Sequence, residues 1–351
     1  MKIIRLLLTL LITLLLLAGT GILLLGITSS VRPFRDENGN ELPGSIVVLQ
    51  ELDINGMKQW ISIRGKDRTN PVLLWLHGGP GSAQMAMSHY LDKELEESYV
   101  VVHWDQRGAG KSNHEGFSAD TMTFHQIKDD AVSLIDYLQE SLEQEKIYLL
   151  GHSFGTHLGI ELVYEYPEKF YGYIAVGQVV DHARAVEVAC KRLRKEMEKN
   201  NDQKGIEELT NIKSPAFYHS DYREFIKLSV PYGGHYDKSM LELAFIAFQA
   251  PEYTCVDYLR LLDGMNRGGA PLHKGGVMAQ YNYIHSVPEI KVPVYFFIGR
   301  NDYNTPFVLV EEYNNTIIAP KKELIIFEDS AHTPFFSETE KFNNELKKIL
   351  N

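Results

Sequence analysis

Apolar and polar positions along the chain fall into two rhythms, one of strands and one of amphipathic helices. SIVVLQELDI and KQWISIRG read as two strands around Asn55-Gly56, a dipeptide that tolerates the positive backbone angles of a tight hairpin. PVLLWL and YVVVHW are apolar runs too continuous for a half-exposed sheet, and a helical stretch lies between them, as in buried parallel strands. TFHQIKDDAVSLIDYLQESL puts Ile127, Ala131, Leu134, Ile135 and Leu138 on one helical face. It leads into Ile147 to Leu150, a short buried strand, after which helical spacing runs from Thr156 through Leu158 and Leu162. YGYIAVG, VPVYFFIG and KELIIFE supply further strands, the last two separated by a helix near Val308 to Asn314. The pattern predicts an α/β protein whose sheet is antiparallel at its start and parallel afterwards.

Two regions break the rhythm. From Gln178 to Glu289 a charged helical stretch, DHARAVEVACKRLRKEMEKN, is followed by aromatic and glycine-bearing segments without clear strand pairs, which predicts an inserted, mostly helical subdomain. At the amino end, Leu6 to Ile27 carries no charge, long enough as a helix to cross roughly 30 Å of hydrocarbon. A single-pass membrane anchor is expected there. A cleaved signal peptide is the rival, although its apolar region is usually shorter and AGTG is a poor cleavage site. Lys2 and Arg5 favour a cytoplasmic amino end and so an extracytoplasmic catalytic domain, an asymmetry weakened by Arg32 and Arg35. The expected organisation is an anchor over 1–30, a linker over 31–44, a core over 45–177 and 290–351, and a helical insertion over 178–289.

Composition narrows the chemistry. In 351 residues, 44% hydrophobic and 23% charged content allows a sizeable core, and the net charge of -11 without a basic cluster argues against nucleic acid. Two cysteines, Cys190 and Cys255, allow one bridge at most and no cysteine-rich metal site. No set of histidines and carboxylates has ligand spacing, so neither metal nor cofactor is expected. Gly108-Ala109-Gly110-Lys111-Ser112 lacks the glycine spacing of a phosphate loop.

The chemistry-bearing stretch is Gly151-His152-Ser153-Phe154-Gly155. Flanking glycines let a strand reverse sharply into a helix, so the central serine is held strained and exposed. The helix that begins there aims backbone N–H groups and its positive dipole end at a developing oxyanion. A serine nucleophile needs a base and an orienting acid. Asp302 follows the strand VPVYFFIG and His332 follows KELIIFE, so both project from the same sheet end as Ser153. His332 would take the serine proton and Asp302 would fix its tautomer; Asp329, in the same loop as the histidine, is the rival acid. Phe154 and Gly79, the latter in LLWLHGGPGS, would supply the two oxyanion N–H groups. Asp105 and Arg107 are expected to hold a loop as a buried charge pair, and His152 and His157 to pack or hydrogen-bond beside the elbow.

HGGPG, DQRGAGKS and GHSFG together resemble the α/β-hydrolase superfamily, and within it the proline iminopeptidase (prolyl aminopeptidase) branch, over most of Ser45 to Asn351. The resemblance implies a mostly parallel sheet with helices on both faces, a helical cap at the insertion, and release of an amino-terminal residue, often proline, from peptides. By motif, Ser153, Asp302 and His332 correspond to the family's triad and Gly79 and Phe154 to its oxyanion donors. The usual elbow has glycine before and tryptophan after the serine, where His152 and Phe154 stand here. A free amine entering a partly dry cleft needs an opposite charge, for which Asp181, Glu187 and Asp257 are candidates. The expected partner is therefore a small peptide or ester substrate, with the membrane engaged through the amino-terminal helix. The alternatives are a carboxylesterase or lipase-like enzyme with the same machinery and a non-catalytic, membrane-tethered binding protein.

Overall fold

A computed structural model describes residue 13 and residues 29–212, 221–235, 237–274 and 280–350. The hairpin forms as the turn residues dictate: β1 (Ile46–Ile54) and β2 (Met57–Gly65) pair antiparallel around Asn55 and Gly56, which take φ values of 49° and 75°. Six strands follow, β3 (Val72–Leu76), β4 (Val100–Asp105), β5 (Ile147–His152), β6 (Phe170–Val176), β7 (Val294–Gly299) and β8 (Lys322–Phe327). They lie side by side in the order β1-β2-β4-β3-β5-β6-β7-β8. β2 meets β4 antiparallel, and every later pairing is parallel.

Alternate side chains of the continuous apolar strands serve opposite faces. Leu74, Leu76, Val102, Leu149 and Phe296 pack with α1 (Phe124–Ser141), α2 (Phe154–Glu165) and a later helix that carries Leu309, Val310 and Tyr313. Leu73, Trp75, Val101, Leu150 and Phe297 pack on the other face with Phe335, Phe342 and Leu346 of the carboxyl-terminal segment. Each of these fully buried side chains contributes about 1.5–3 kcal/mol, which is why both faces must be covered. Between β3 and β4 the expected helix is reduced to short helical turns, Met85–Met87, Ser88–Leu91 and Leu95–Glu97.

Between β6 and β7 the described residues contain helices and no strand of the sheet: α3 (His182–Lys199), α4 (Gln203–Asn211), α5 (Asp221–Ser229), α6 (Met240–Ala247) and α7 (Cys255–Gly264). The chain leaves and re-enters the sheet layer at one point, where Tyr283 N–H donates to Val180 O (2.9 Å) and Asp181 pairs with Asn282. After α7 the helix widens to a π turn over Met265–Gly269. Its glycines meet core loops backbone to backbone: a Cβ on Gly264 would stand 2.7 Å from Gly81 O, and one on Gly268 2.4 Å from Gly108 O. Both cysteines are free. α8 (Phe307–Thr316) and α9 (Thr339–Lys348) complete the fold.

The membrane-anchored, extracytoplasmic placement is corrected: among the described residues no helix is long and apolar enough to cross a membrane. A span needs about 20 consecutive apolar residues, whereas the longest described helices, α1 and α3, have 18 residues each and are studded with charges. The apolar stretch from Leu6 to Ile27 lies, apart from Thr13, outside the described residues.

Candidate active site

The elbow is built as its sequence requires. Ser153 adopts φ 53°, ψ -117°, a strained combination for a residue with a Cβ, at the joint between β5 and α2. Strand and helix approach too closely there for side chains: a Cβ on Gly155 would stand 2.1 Å from Leu76 O, and one on Gly151 2.5 Å from Gly155 O. Ser153 N–H donates to Val176 O (3.0 Å), which pins the turn to the end of β6. Phe154 opens α2, so its N–H lies in the first helical turn, and its ring is buried edge-on to Phe124.

The loop after β3 presses on this elbow. A Cβ on Gly78 would lie 3.1 Å from Ser153 Cβ, and the next residue, Gly79, takes φ 114°. His77 holds the loop in shape. Its Nε2 accepts from Gln106 N–H (3.2 Å), so the proton is assigned to Nδ1, which donates to Gly78 O (2.8 Å). Burial pulls its pKa down to about 4 and keeps the ring neutral.

Asp302 and His332 meet from the ends of β7 and β8. His332 Nδ1 donates to Asp302 Oδ2 (2.8 Å), and the same carboxylate accepts from Thr305 Oγ1 (2.6 Å) and from the backbone N–H of Asn304 and Thr305 (2.7 and 2.9 Å). Burial alone would raise the Asp302 pKa, but the His332 interaction and these donors outweigh it and hold the carboxyl below its ordinary range. His332 stands over the end of β6: a Cβ on Gly177 would be 3.3 Å from its Cε1. On one side lies His152, with ring centroids 4.9 Å apart and Nε2–H donating to His332 O (3.0 Å). Burial takes the His152 pKa to about 3, so this prop is uncharged. Asp329, the rival acid, is exposed.

The three acids singled out for an ammonium ion all have other partners. Asp181 caps α3 by accepting from Arg184 N–H (3.0 Å) and also accepts from Asn282 Nδ2 (2.7 Å). Glu187 is exposed and paired with Lys191 one turn on (2.5 Å). Asp257 receives Lys111 Nζ (2.7 Å), Arg260 (3.0 Å) and both donors of Thr254. The expected Asp105–Arg107 pair is also corrected: Arg107 forks onto Asp130 in α1 (2.7 and 3.0 Å), while Asp105 accepts from Lys111 N–H (2.8 Å) and Tyr253 OH. A guanidinium needs two carboxylate oxygens in its plane, and the helical Asp130 presents them. His157 donates to or accepts from Tyr283 OH at 3.0 Å. Among the described residues no group of histidine, cysteine or acidic side chains could hold a metal ion.

Sequence reasoning missed His235 and Asp237 of the insertion. The His235 ring lies parallel to His332, 13° between planes and 6.2 Å between centroids, and Asp237 binds the loop on either side of His332. Their only signal was the pair of glycines in Gly233-Gly234-His235-Tyr236-Asp237, a non-periodic stretch.

Comparison with known proteins agrees with this architecture. A family of alpha/beta hydrolase fold matches residues 71–339. A probable aminopeptidase of Bacillus subtilis, YbaC, is 33% identical over 309 residues, covering 87% of this chain and 96% of the relative. A proline iminopeptidase of Clostridioides difficile is 27% identical, covering 86% and 97%. In structure, the proline iminopeptidase of Mycobacterium smegmatis superposes with a TM-score of 0.61 at 19% identity, covering 86% and 97%. With its eight-stranded sheet, its serine elbow and this match over most of its length, the chain belongs to the α/β-hydrolase fold family.

Proposed function

We propose that the protein is a serine hydrolase of aminopeptidase type, releasing the amino-terminal residue of small peptides as a proline iminopeptidase does, with Ser153, His332 and Asp302 as its triad. The observation that carries this reading is the His332–Asp302 hydrogen bond at the sheet end where Ser153 occupies its strained elbow. Asp302, kept ionised, fixes the proton on Nδ1 and leaves Nε2 to accept the Ser153 proton. Ser153 Oγ adds to the scissile carbonyl, the N–H groups of Gly79 and Phe154 receive the developing oxyanion, and His332 returns its proton to the leaving amine. Water, deprotonated by His332, then hydrolyses the acyl-enzyme. In this reading residues 178–289 form the cap over a core of 45–177 and 290–351, and 31–44 is a linker. The peptide substrate is supported by the names of the two relatives, at 33% and 27% identity.

A carboxylesterase is the second reading, favoured by the internal partners of Asp181, Glu187 and Asp257, which leave none of them dedicated to an ammonium ion. Proline and alanine arylamides, their amine-blocked forms and short nitrophenyl esters separate the two. Cleavage of free-amine arylamides that blocking abolishes supports the aminopeptidase; ester cleavage alone supports the esterase. Ser153→Ala abolishes turnover in either case, and more than a trace of remaining activity refutes the triad.

A further inference from the structure

Besides Arg192 of α3, which donates to Arg300 O (2.9 Å) and Asn301 Oδ1 (2.8 Å), the insertion reaches the catalytic loops through a short strap. Tyr303 N–H donates to Gly234 O (2.9 Å), and a Cβ on Gly234 would sit inside the Tyr303 ring, 1.2 Å from Cδ2, so the strap lies flat on the loop that carries Asp302. The next residue, His235, is buried face to face with His332 and hydrogen-bonded by Asn304. Asp237 then grips the His332 loop from outside. Its Oδ1 accepts from Ala331 N–H (2.6 Å), and its Oδ2 accepts from Thr333 N–H (2.7 Å) and Thr333 Oγ1 (2.8 Å).

These bonds bracket the histidine. Ala331 and Thr333 are its two neighbours in the chain, and its own carbonyl is held by His152. A carboxylate accepting two backbone N–H groups fixes the direction of both peptide planes, and charge-assisted bonds of this kind are about twice as strong as neutral ones. The position of Cα in residue 332, and hence the reach of its Nε2 toward Ser153, is set jointly by the core residue His152 and by an aspartate that belongs to the insertion.

We propose that Asp237 is a positioning residue for the reaction: it ties the placement of the general base His332 to the seating of the helical insertion on the core. The proposal rests on the triad reading above. It assigns Asp237 no contact with substrate, so its loss shows in kcat rather than in KM, because a misaligned base weakens the transition state more than ground-state binding.

The test uses the full chain and compares Asp237→Asn, Thr333→Val and Ser153→Ala on whichever arylamide or ester the wild type cleaves. Asp237→Asn keeps the shape but turns one acceptor into an amide that faces a backbone N–H. It is expected to lower kcat by about 10- to 100-fold at nearly unchanged KM, and to slow labelling by a fluorophosphonate in proportion. Thr333→Val removes the hydroxyl's two bonds to Asp237, one given to Oδ2 and one accepted from the Asp237 N–H (3.4 Å), and leaves the Ala331 and Thr333 N–H groups on the carboxylate, so kcat falls by a few-fold with the fold intact. Wild-type kcat in Asp237→Asn, or a raised KM with kcat unchanged, overturns the proposal. If Asp237→Asn does not fold, wild-type kcat in Thr333→Val overturns it. Turnover retained in Ser153→Ala would instead bring down the triad itself, so the two failures are told apart.

Discussion

The Lys111–Asp257 pair joins the core to the insertion, and breaking it has a calculable outcome. The ion pair closes at 2.7 Å with both side chains nearly out of reach of water, 3% and 4% exposed. Removing one partner of such a pair costs about 3–5 kcal/mol, because the other charge is left desolvated, whereas replacing both is close to neutral. The two ends are unequal. Without its carboxylate, Lys111 keeps the Glu252 carbonyl (3.1 Å), the faces of Trp60 (4.4 Å) and Tyr253 (5.6 Å) and the Coulombic attraction of Asp105, none of them an ion-pair contact. Without its ammonium, Asp257 keeps Arg260 and the Thr254 donors. Asp257→Asn is therefore expected to be the costlier single change, at about 3 kcal/mol or more, and Lys111→Met the cheaper. At about 2 °C per kcal/mol for a domain of this size, Asp257→Asn lowers Tm by roughly 6 °C or more. The double variant recovers much of that loss, giving a coupling of about 1–3 kcal/mol in a double-mutant cycle read by thermal unfolding at pH 7. The Asp257 carboxyl is buried, which raises its pKa, but Lys111 and Thr254 more than compensate and hold it below 3.8. A depressed folded pKa stabilises above the unfolded value, so this contribution is complete at neutral pH and is lost only as pH falls below that value. The opposite pattern, Tm unchanged in Asp257→Asn with KM for free-amine substrates raised tenfold and KM for esters unaltered, would refute the structural role and return Asp257 to the substrate.

Three further outcomes follow from the geometry. Gly155→Ala forces a methyl to within 2.1 Å of Leu76 O, so the elbow must open and activity falls at least 100-fold with clear loss of thermal stability; wild-type kcat would contradict the close approach. His152→Phe keeps the ring beside His332 but loses the bond to its carbonyl, worth about 1 kcal/mol, and lowers kcat by roughly tenfold without shifting KM. Burial raises the Asp105 pKa to about 6, so the folded state holds this proton more tightly than the unfolded chain. Asp105 therefore contributes a loss of stability as pH rises from about 4 to 6 and none beyond, and Asp105→Asn should flatten that limb of Tm against pH.

What the sequence disclosed was what local pattern governs. The hairpin turn at Asn55-Gly56, the apolar strands and the strand–glycine–serine–glycine–helix joint each follow from residues adjacent in the chain, and Asp302 and His332 follow because loops after parallel strands emerge at one sheet end. What stayed hidden depends on where long side chains end up. Arg107 could not be assigned to Asp130 rather than Asp105 without knowing that α1 lies under its loop, and Asp181, Glu187 and Asp257 read alike as helix acids although one caps, one is solvated and one is buried against Lys111. Asp237 belongs to no periodic segment, so nothing in the pattern marks the residue that brackets His332. The apolar run near the amino end illustrates the reverse: a clear composition that no described helix bears out.

The long excursion between β6 and β7 also orders the birth of the site. β5 and Ser153 are complete by residue 153, yet Asp302 and His332 arrive only after residue 300, behind β7, which pairs in parallel with β6 across everything in between, and β8, which pairs in turn with β7. Such non-local pairing closes slowly and awaits the carboxyl end of the chain. A nascent or truncated polypeptide ending anywhere within the insertion holds Ser153 but neither Asp302 nor His332. On the triad reading proposed above, hydrolytic competence is thus deferred to the last strands, and a carboxyl-terminal deletion of β8 and the His332 loop leaves a chain that carries the elbow without its base.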